Sequence, residues 1–227
     1  MAQSVLVIAD SGTGKSTAIR NLNPDETFII NIANKPLPFK GWKKNYTLIS
    51  KENPGGNLAS ASSAIGIMKA IKHVDEKMPA IKTLVVDDWQ YMSSFEYFDR
   101  ANEKGYEKFT QIAANLAAVA KMPKDLRDDL TVIFLTHSED STDLNGNRKI
   151  KAKTIGKMID NTLTLEGLFS IVLFGKVNKN DDGELEYGFE TQNNGENTCK
   201  SPQGMFEERF IPNNLQYVKD CIKKYEE

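Results

Sequence analysis

The chain alternates between short apolar runs and longer segments whose apolar residues recur at helical spacing. Several of the runs are unbroken stretches of Val, Ile and Leu, which is typical of strands buried on both faces of a parallel sheet. The predicted strands are Ser4–Ala9, Thr27–Ile32, Tyr46–Ser50, Lys82–Asp88, Leu130–Thr136 and Phe169–Val177, and the predicted helices are Lys15–Leu22, Leu58–Lys77 and Gln90–Lys121. This alternation favours an α/β fold with a sheet covered by helices on both sides.

The pattern changes near the end of the sequence. Two strand-like runs flank Asp182–Gly183, a dipeptide typical of a tight turn, so we expect a β-hairpin there. The segment "IPNNLQYVKDCIKKYEE" at residues 211–227 begins with turn and capping residues and continues with apolar positions at helical spacing. It predicts a closing amphipathic helix.

Length and composition narrow the class of protein. A chain of 227 residues predicts one domain, residues 1–227, with a sizeable core. The net charge of −2 argues against a histone-like nucleic-acid binder but permits a local basic groove. No apolar run approaches the roughly 18 residues of a membrane span and no leader pattern opens the chain, so we expect a cytoplasmic protein without a membrane. Cys199 and Cys221 are too few for a disulfide framework and are expected to be reduced.

The first predicted strand runs directly into "ADSGTGKST" at residues 9–17, which has the spacing of a phosphate-binding loop with alanine at its first position. Glycines in such a loop let backbone N–H groups close around phosphate oxygens, and the following helix adds its positive N-terminal end. Lys15 would reach the β- and γ-phosphates of ATP, and the Ser16 hydroxyl would bind Mg²⁺. The candidate nucleotide-binding residues are Asp10, Ser11, Gly12, Thr13, Gly14, Lys15, Ser16 and Thr17. The alternative, a glycine turn before an ordinary helix, is disfavoured by the buried strand in front of it.

An acidic pair follows another buried strand, in "TLVVDDW". Asp87 has the position of an acid that holds Mg²⁺, together with Ser16. Asp88 is either a second acidic group near the γ-phosphate or the cap of the next helix, and both interpretations stay open. His137, at the tip of the strand Leu130–Thr136, could sense the γ-phosphate because a neutral imidazole can donate to phosphate, and the alternative is a loop histidine without a role. The candidate catalytic residues are therefore Lys15, Asp87, Asp88 and His137.

Two basic segments are candidate contacts to DNA or to a neighbouring subunit. The first, Gly146–Lys157, suits a nucleic-acid backbone or the γ-phosphate in an adjacent subunit, and the alternative is a solvated loop. The second, Phe39–Tyr46, mixes cations with aromatic residues, which suits single-stranded DNA, and the alternative is an exposed turn whose Trp42 covers the core. Their candidate residues are Arg148, Lys149, Lys151, Lys153 and Lys157 in the first, and Lys40, Trp42, Lys43 and Lys44 in the second.

The chain resembles the small phage-encoded RecA-like ATPases in the loop and in six further segments. These segments are "LVVDDW", "FLTHSED", "KAKTIGKMID", "LTLEGLFSIVLFG", "KSPQGMF" and "IPNNLQYV". These ATPases are core-only relatives of RecA and RadA implicated in single-strand annealing and homologous recombination. The resemblance implies a RecA-like P-loop core and a Mg²⁺-ATP-dependent ATPase that binds single-stranded DNA in the host cytoplasm. It also implies ATP bound between subunits of a ring or filament, and a single-strand-binding protein is a further candidate partner.

Residue by residue, the resemblance assigns Lys15, Ser16 and Thr17 to the nucleotide loop and Asp87 to Mg²⁺. It gives His137 the sensing position that is usually glutamine in RecA. Lys151 and Lys153 fall in the loop where RecA-type proteins place DNA-contacting or subunit-bridging residues.

One departure from RecA concerns the acid that activates water. RecA carries a glutamate just after its second strand, whereas this chain reads "NIANKPLPF" there, with no acid. Either Asp88 takes that task, or hydrolysis is slow and the nucleotide acts mainly as an assembly switch.

Two other functions remain alternatives. The first is a small-molecule or nucleotide kinase, which usually needs several arginines in a lid, whereas the arginines here are scattered along the chain. The second is a nucleotide-gated protein-binding module that uses the alanine-rich stretch Tyr106–Met122.

Overall fold

A sheet of nine strands, counted over the residues that the computed structural model describes (1–142, 146, 148–155 and 163–227), forms the centre of the protein. The strands are β1 (Gln3–Ala9), β2 (Thr27–Asn31), β3 (Leu58–Ala59), β4 (Thr83–Asp87), β5 (Thr131–Thr142), β6 (Arg148–Ala152), β7 (Ile171–Lys179), β8 (Leu185–Glu190) and β9 (Phe210–Pro212). Their order is β3-β2-β4-β5-β1-β7-β8-β9, and β6 pairs with the outer half of β5. Pairing is parallel from β3 to β7 and antiparallel in β7-β8-β9 and β5-β6.

Helices cover both faces of this sheet. They are α1 (Trp42–Asn45), α2 (Ala64–Lys77), α3 (Gln90–Asp99), α4 (Glu107–Lys121) and α5 (Leu215–Glu226), with short 3₁₀ helices at Ser16–Asn21, Pro24–Glu26, Met122–Asp125 and Leu165–Leu168. On one face, α2 and α4 pack Ile67 and Ile112 into a core with Phe134. On the other face, the first 3₁₀ helix and α5 pack against β1, β4 and β5. The predicted α/β class, the mostly parallel sheet, the C-terminal hairpin and the closing helix are confirmed.

The sheet order brings three predicted functional segments to one edge. β5 lies between β1 and β4, and the register sets Ala9 beside His137 and Val86 beside Phe134. Since these strands are parallel, their carboxyl ends meet at the same edge. The phosphate-loop sequence, Asp87 and His137 therefore lie side by side.

Two predicted elements between β2 and α2 are wrong. Tyr46–Ser50 is not a strand but makes one isolated bridge from Leu48 to Leu58. Asparagine side chains supply part of its hydrogen bonding, because Asn57 accepts from the Thr47 N–H at 2.9 Å and Asn53 donates to the Leu48 carbonyl at 2.9 Å. The predicted helix Leu58–Lys77 starts later, since Leu58–Ala59 pairs with β2 as β3 and the Ser63 hydroxyl caps α2.

Three further differences are local. The predicted helix Gln90–Lys121 is two helices, α3 and α4, separated by a turn in which Gly105 has a φ of 88°. The predicted helix Lys15–Leu22 is a 3₁₀ helix, Ser16–Asn21, which ends ahead of Pro24. Part of the predicted basic loop Gly146–Lys157 forms β6, because it pairs with the end of β5. Both cysteines are free thiols, as expected.

Among the described residues, no helix combines the length and the apolar character that crossing a bilayer requires.

Candidate nucleotide-binding site

The segment after β1, which has the spacing of a phosphate-binding loop, turns at two glycines. Gly12 and Gly14 have φ of 83° and 84°, the left-handed region that a side chain would strain. Gly14 is also crowded, because a Cβ there would lie 3.2 Å from the Asn213 side chain and 3.3 Å from the Tyr187 ring. The two glycines are therefore required by the backbone.

The alanine at the first position of the loop has a structural explanation. Ala9 is still part of β1, fully buried and paired on both sides, with His137 and with Gly175. A Cβ on Gly175 would lie 2.7 Å from the Ala9 methyl group. The missing side chain on β7 therefore makes the room for the methyl group, and the position requires no glycine.

Lys15 and Ser16 project toward the end of β4. Lys15 is 6% exposed, and burial lowers the pKa of its ammonium group although Asp88 and Asp87 oppose that shift. The Ser16 hydroxyl donates a hydrogen bond of 2.8 Å to Asp87. A buried lysine beside a hydroxyl–carboxylate pair is the arrangement that phosphate and a divalent cation would complete.

The pair Ser16–Asp87 fits Mg²⁺. Asp87 is 5% exposed, and burial together with the charge of Asp88 raises the pKa of its carboxyl to about 6, so a divalent cation beside it would stabilise the charged form. Among the described residues, no group of three or more His, Cys, Asp or Glu could hold a metal. Mg²⁺ usually takes one or two protein oxygens and completes its shell with substrate phosphates and water, which is what this pair offers.

Asp88 lies at the centre of a charged cluster. Its carboxylate is 2.6 Å from the Lys35 ammonium, 3.8 Å from that of Lys15 and 3.5 Å from His137 Nε2. Burial alone would raise its pKa, but hydrogen bonds with His137 and Lys35 and the charge of Lys15 lower the pKa of Asp88 to about 2. The side chain does not cap α3, whose N-cap residue is Trp89. Of the two interpretations, the acidic group facing the phosphate site fits the geometry.

His137 is held on the same side of the site. Its backbone N–H donates to Gln90 at 3.2 Å, and its carbonyl accepts from the Lys153 N–H at 2.8 Å. The Tyr91 ring packs edge-on against the His137 imidazole, with the ring centres 6.1 Å apart. These contacts fix His137 beside Asp88, where a bound phosphate would meet it.

A cleft of about 440 Å³ joins these groups. It is lined by Ser11, Gly12, Gly14, Lys15, Ser16, Thr17, Arg20, Lys35, Pro38, Asp88, His137, Tyr187 and Asn213. One group of lining residues is charged and consists of Lys35, Asp88 and His137. A second group lies near Gly14 and Thr17 and consists of Tyr187, Asn213 and Arg20. Asp10 and Thr13 shape the loop instead, because Ser138 donates to the Asp10 carboxylate and Thr13 donates to its carbonyl at 2.8 Å.

Asn213 is a cleft residue that could not be predicted from the sequence pattern. It is 4% exposed, donates to the Gly14 carbonyl at 3.1 Å and accepts from Arg20 at 2.9 Å. Its only signal in the sequence is its place before the closing helix. Lys35, Arg20 and Tyr187 could not be predicted either, and nothing in their spacing marks them.

The first basic segment is largely paired. Arg148 bonds Asp140 at 2.9 Å, Lys151 bonds Glu139 at 3.2 Å, and Lys149 donates to the Gly195 carbonyl. Lys153 is exposed and lines a second cavity of about 350 Å³ with Phe98 and other residues of α3 and α4. Lys157 lies outside the described residues.

The second basic segment is spread around α1. Lys40, Lys43 and Lys44 are exposed, and the Lys43 ammonium lies 5.7 Å from the centre of the Trp42 ring. Trp42 itself is half-buried against the core beneath the sheet. This packing fits the interpretation in which Trp42 covers the core.

Comparison with known protein families finds a match to AAA_24, an AAA domain, over residues 1–203. A comparison with curated proteins finds no significant match.

Proposed function

Because the chain belongs to the AAA domain family AAA_24, whose domain indicates a nucleotide-binding ATPase, we propose a Mg²⁺-ATP-dependent ATPase that binds single-stranded DNA in phage recombination or strand annealing. The observation that carries the ATPase part is the convergence of Lys15, Asp87 and Asp88 at the mouth of the glycine loop. Cations and a divalent metal at that place would counter the charge of a triphosphate.

In this proposal water attacks the γ-phosphorus, the bond from that phosphorus to the β–γ bridging oxygen breaks, and ADP and phosphate leave. Asp88 orients the water and accepts its proton, since it is the buried acid beside the polar part of the cleft. Lys15 and His137 stabilise the charge on the transferring group. Mg²⁺, held by Ser16 and Asp87, would neutralise phosphate charge when bound.

The other group of cleft residues suits the base and ribose. Tyr187 is 41% exposed and its ring borders Gly14, while Arg20 and Asn213 supply polar groups beside it. An exposed aromatic ring can stack on the base of a nucleotide whose phosphates occupy the glycine loop.

DNA binding is the part of the proposal that the exposed lysines support. Lys153 is joined through its backbone N–H to His137, so a DNA contact at Lys153 would lie one hydrogen bond from the nucleotide cleft. The ring or filament with ATP between subunits, the single-strand-binding protein as a partner and the host cytoplasm rest on the resemblance to RecA-like ATPases.

The arginines weigh against the kinase alternative. Arg20 lines the cleft, whereas Arg100 is held by Glu96 and Glu103 and Arg148 by Asp140. A phosphoryl-transfer lid needs cations that are available to close over the substrate. We therefore favour hydrolysis.

The test is ATP hydrolysis by the purified protein with Mg²⁺, with and without single-stranded DNA, beside Lys15→Ala. Stimulation by DNA that is lost in the variant would support the whole proposal. A rate of ATP hydrolysis that DNA does not change would contradict the proposed role in recombination and favour a protein-gated module or a kinase. Absence of nucleotide binding would contradict the ATPase itself.

A further inference from the structure

Lys35 occupies the place after β2 where no acid is found. Its ammonium nitrogen lies 2.6 Å from Asp88 Oδ2 and 5.4 Å from the centre of the Tyr91 ring, and it lines the same cleft as the glycine loop. Nothing in the sequence pattern marks this lysine. Its position puts a third basic side chain, with Lys15 and His137, around a single carboxylate.

The backbone of Lys35 is fixed while its side chain is exposed. Asn31, 6% exposed, donates to the Lys35 carbonyl at 2.6 Å and accepts from the Lys35 N–H at 3.3 Å. Asn34, next to it, has a φ of 51°, which sets the tight turn. The Lys35 side chain is 58% exposed, against 6% for that of Lys15. Lys35 is thus anchored at its Cα and able to move at its ammonium group.

A triphosphate in the cleft would change the charge balance around Asp88. The terminal phosphate carries more negative charge than one carboxylate and offers several acceptor oxygens, so it competes for nearby ammonium groups. Lys15 is confined by burial, whereas Lys35 can turn from Asp88 into the cleft that both line. Released from Lys35, the Asp88 carboxylate would be available to a water molecule.

We propose that Lys35 exchanges Asp88 for the terminal phosphate of a bound nucleoside triphosphate, and so distinguishes triphosphate from diphosphate. The inference rests on the proposed nucleotide-binding function and deepens it. The cation that contacts the terminal phosphate is then the Lys35 ammonium group of the same chain, and no residue of a neighbouring subunit is needed.

The experiment compares calorimetric Kd values for ADP and for a β,γ-imido analogue of ATP, with Mg²⁺. The proteins are the wild type, Lys35→Ala, Lys35→Arg and the matched surface control Lys51→Ala. We expect Lys35→Ala to weaken analogue binding about tenfold or more, because a charge-assisted bond is lost, and to change ADP binding less than twofold. Lys35→Arg should keep most of the preference, and Lys51→Ala all of it.

Equal weakening of both nucleotides, or no weakening of either, would overturn the inference and leave Lys35 as a partner of Asp88 alone. A wild type that binds neither nucleotide would instead contradict the proposed function. Unfolding temperatures of Lys35→Arg and Lys51→Ala should match that of the wild type, whereas Lys35→Ala should unfold at a somewhat lower temperature because Asp88 loses its closest cation.

A double-mutant cycle gives a second readout. Asp88→Asn frees Lys35 from its ion pair, so analogue binding should tighten, and the gain should shrink in the Lys35→Ala/Asp88→Asn protein. A gain of equal size in both backgrounds would mean that Lys35 never reaches the phosphate.

Discussion

The Ser16 hydroxyl donates a 2.8 Å hydrogen bond to the Asp87 carboxylate, which joins the phosphate loop to the end of β4. This bond satisfies only part of the carboxylate, and burial raises the pKa of Asp87 from an ordinary value of 3.8 to about 6. Above pH 6 the metal-free protein therefore carries a buried charge that costs stability.

The first prediction concerns Asp87→Asn without Mg²⁺. A raised pKa means that the folded state prefers the protonated Asp87. The loss of stability caused by ionising Asp87 is therefore absent below pH 4, develops between about pH 4 and 6, and is complete at pH 7. We expect the variant to increase the free energy of unfolding by about 3 kcal/mol at pH 7, and by little at pH 4. Urea unfolding at the two pH values measures this.

Glu186→Gln, an exposed acid on β8, is the control and should change little at either pH. An Asp87→Asn protein that is less stable than the wild type at pH 7 would contradict the conclusion that the buried Asp87 charge destabilises the metal-free protein.

The second prediction concerns Asp88→Asn. We expect ATP hydrolysis to fall about 100-fold or more, because the acid that orients and deprotonates water is removed, while Mg²⁺-ATP still binds. Single-turnover hydrolysis and calorimetric Kd values separate the two steps. Unchanged turnover would return Asp88 to a purely structural role.

The third prediction concerns Tyr187→Ala. Loss of the stacking face should weaken ATP roughly tenfold, because stacking on one base contributes about 1–3 kcal/mol. Binding of inorganic tripolyphosphate, which has no base, should stay unchanged, and Tyr187→Phe should bind ATP like the wild type. If tripolyphosphate weakens as much as ATP, the tyrosine supports the loop and not the base.

The fourth prediction separates two neighbouring basic residues. Lys153 is exposed, whereas Arg148 is engaged with Asp140, so we expect Lys153→Ala to weaken single-stranded DNA binding more than Arg148→Ala. Removal of one phosphate contact should also lower the dependence of log Kd on log salt by about 0.7. Fluorescence anisotropy across a salt series, with ATP analogue present, measures both quantities. Equal effects of the two variants would contradict this difference in availability.

The parallel sheet was predictable because its strands are buried on both faces. Val5 and Val85, for example, are fully buried, and such strands read as unbroken apolar runs. β3 and β9 are too short for a pattern of their own, and each pairs with a strand whose place the sequence does not specify. Tyr46–Ser50 had the composition of a strand, yet it forms only one isolated bridge, and asparagine side chains bond Thr47 and Leu48.

The candidate site shows the same division. Lys15, Ser16 and Asp87 were predictable because a loop after one strand and an acid after another carry fixed spacings. Lys35 and Asn213 were not, since their roles come from contacts across 53 and 199 positions of sequence. Lys153 was predicted from charge alone, and charge could not show that its neighbour Arg148 is already paired.

β1 is translated well before its two neighbours in the sheet, which begin at residues 131 and 171. The Asn213 side chain that bonds the Gly14 carbonyl follows later still. Until those residues emerge, a nascent chain would carry the glycine loop without the strands and the side chain that hold it. We therefore expect a nascent chain to bind ATP only after Asn213 has been synthesised.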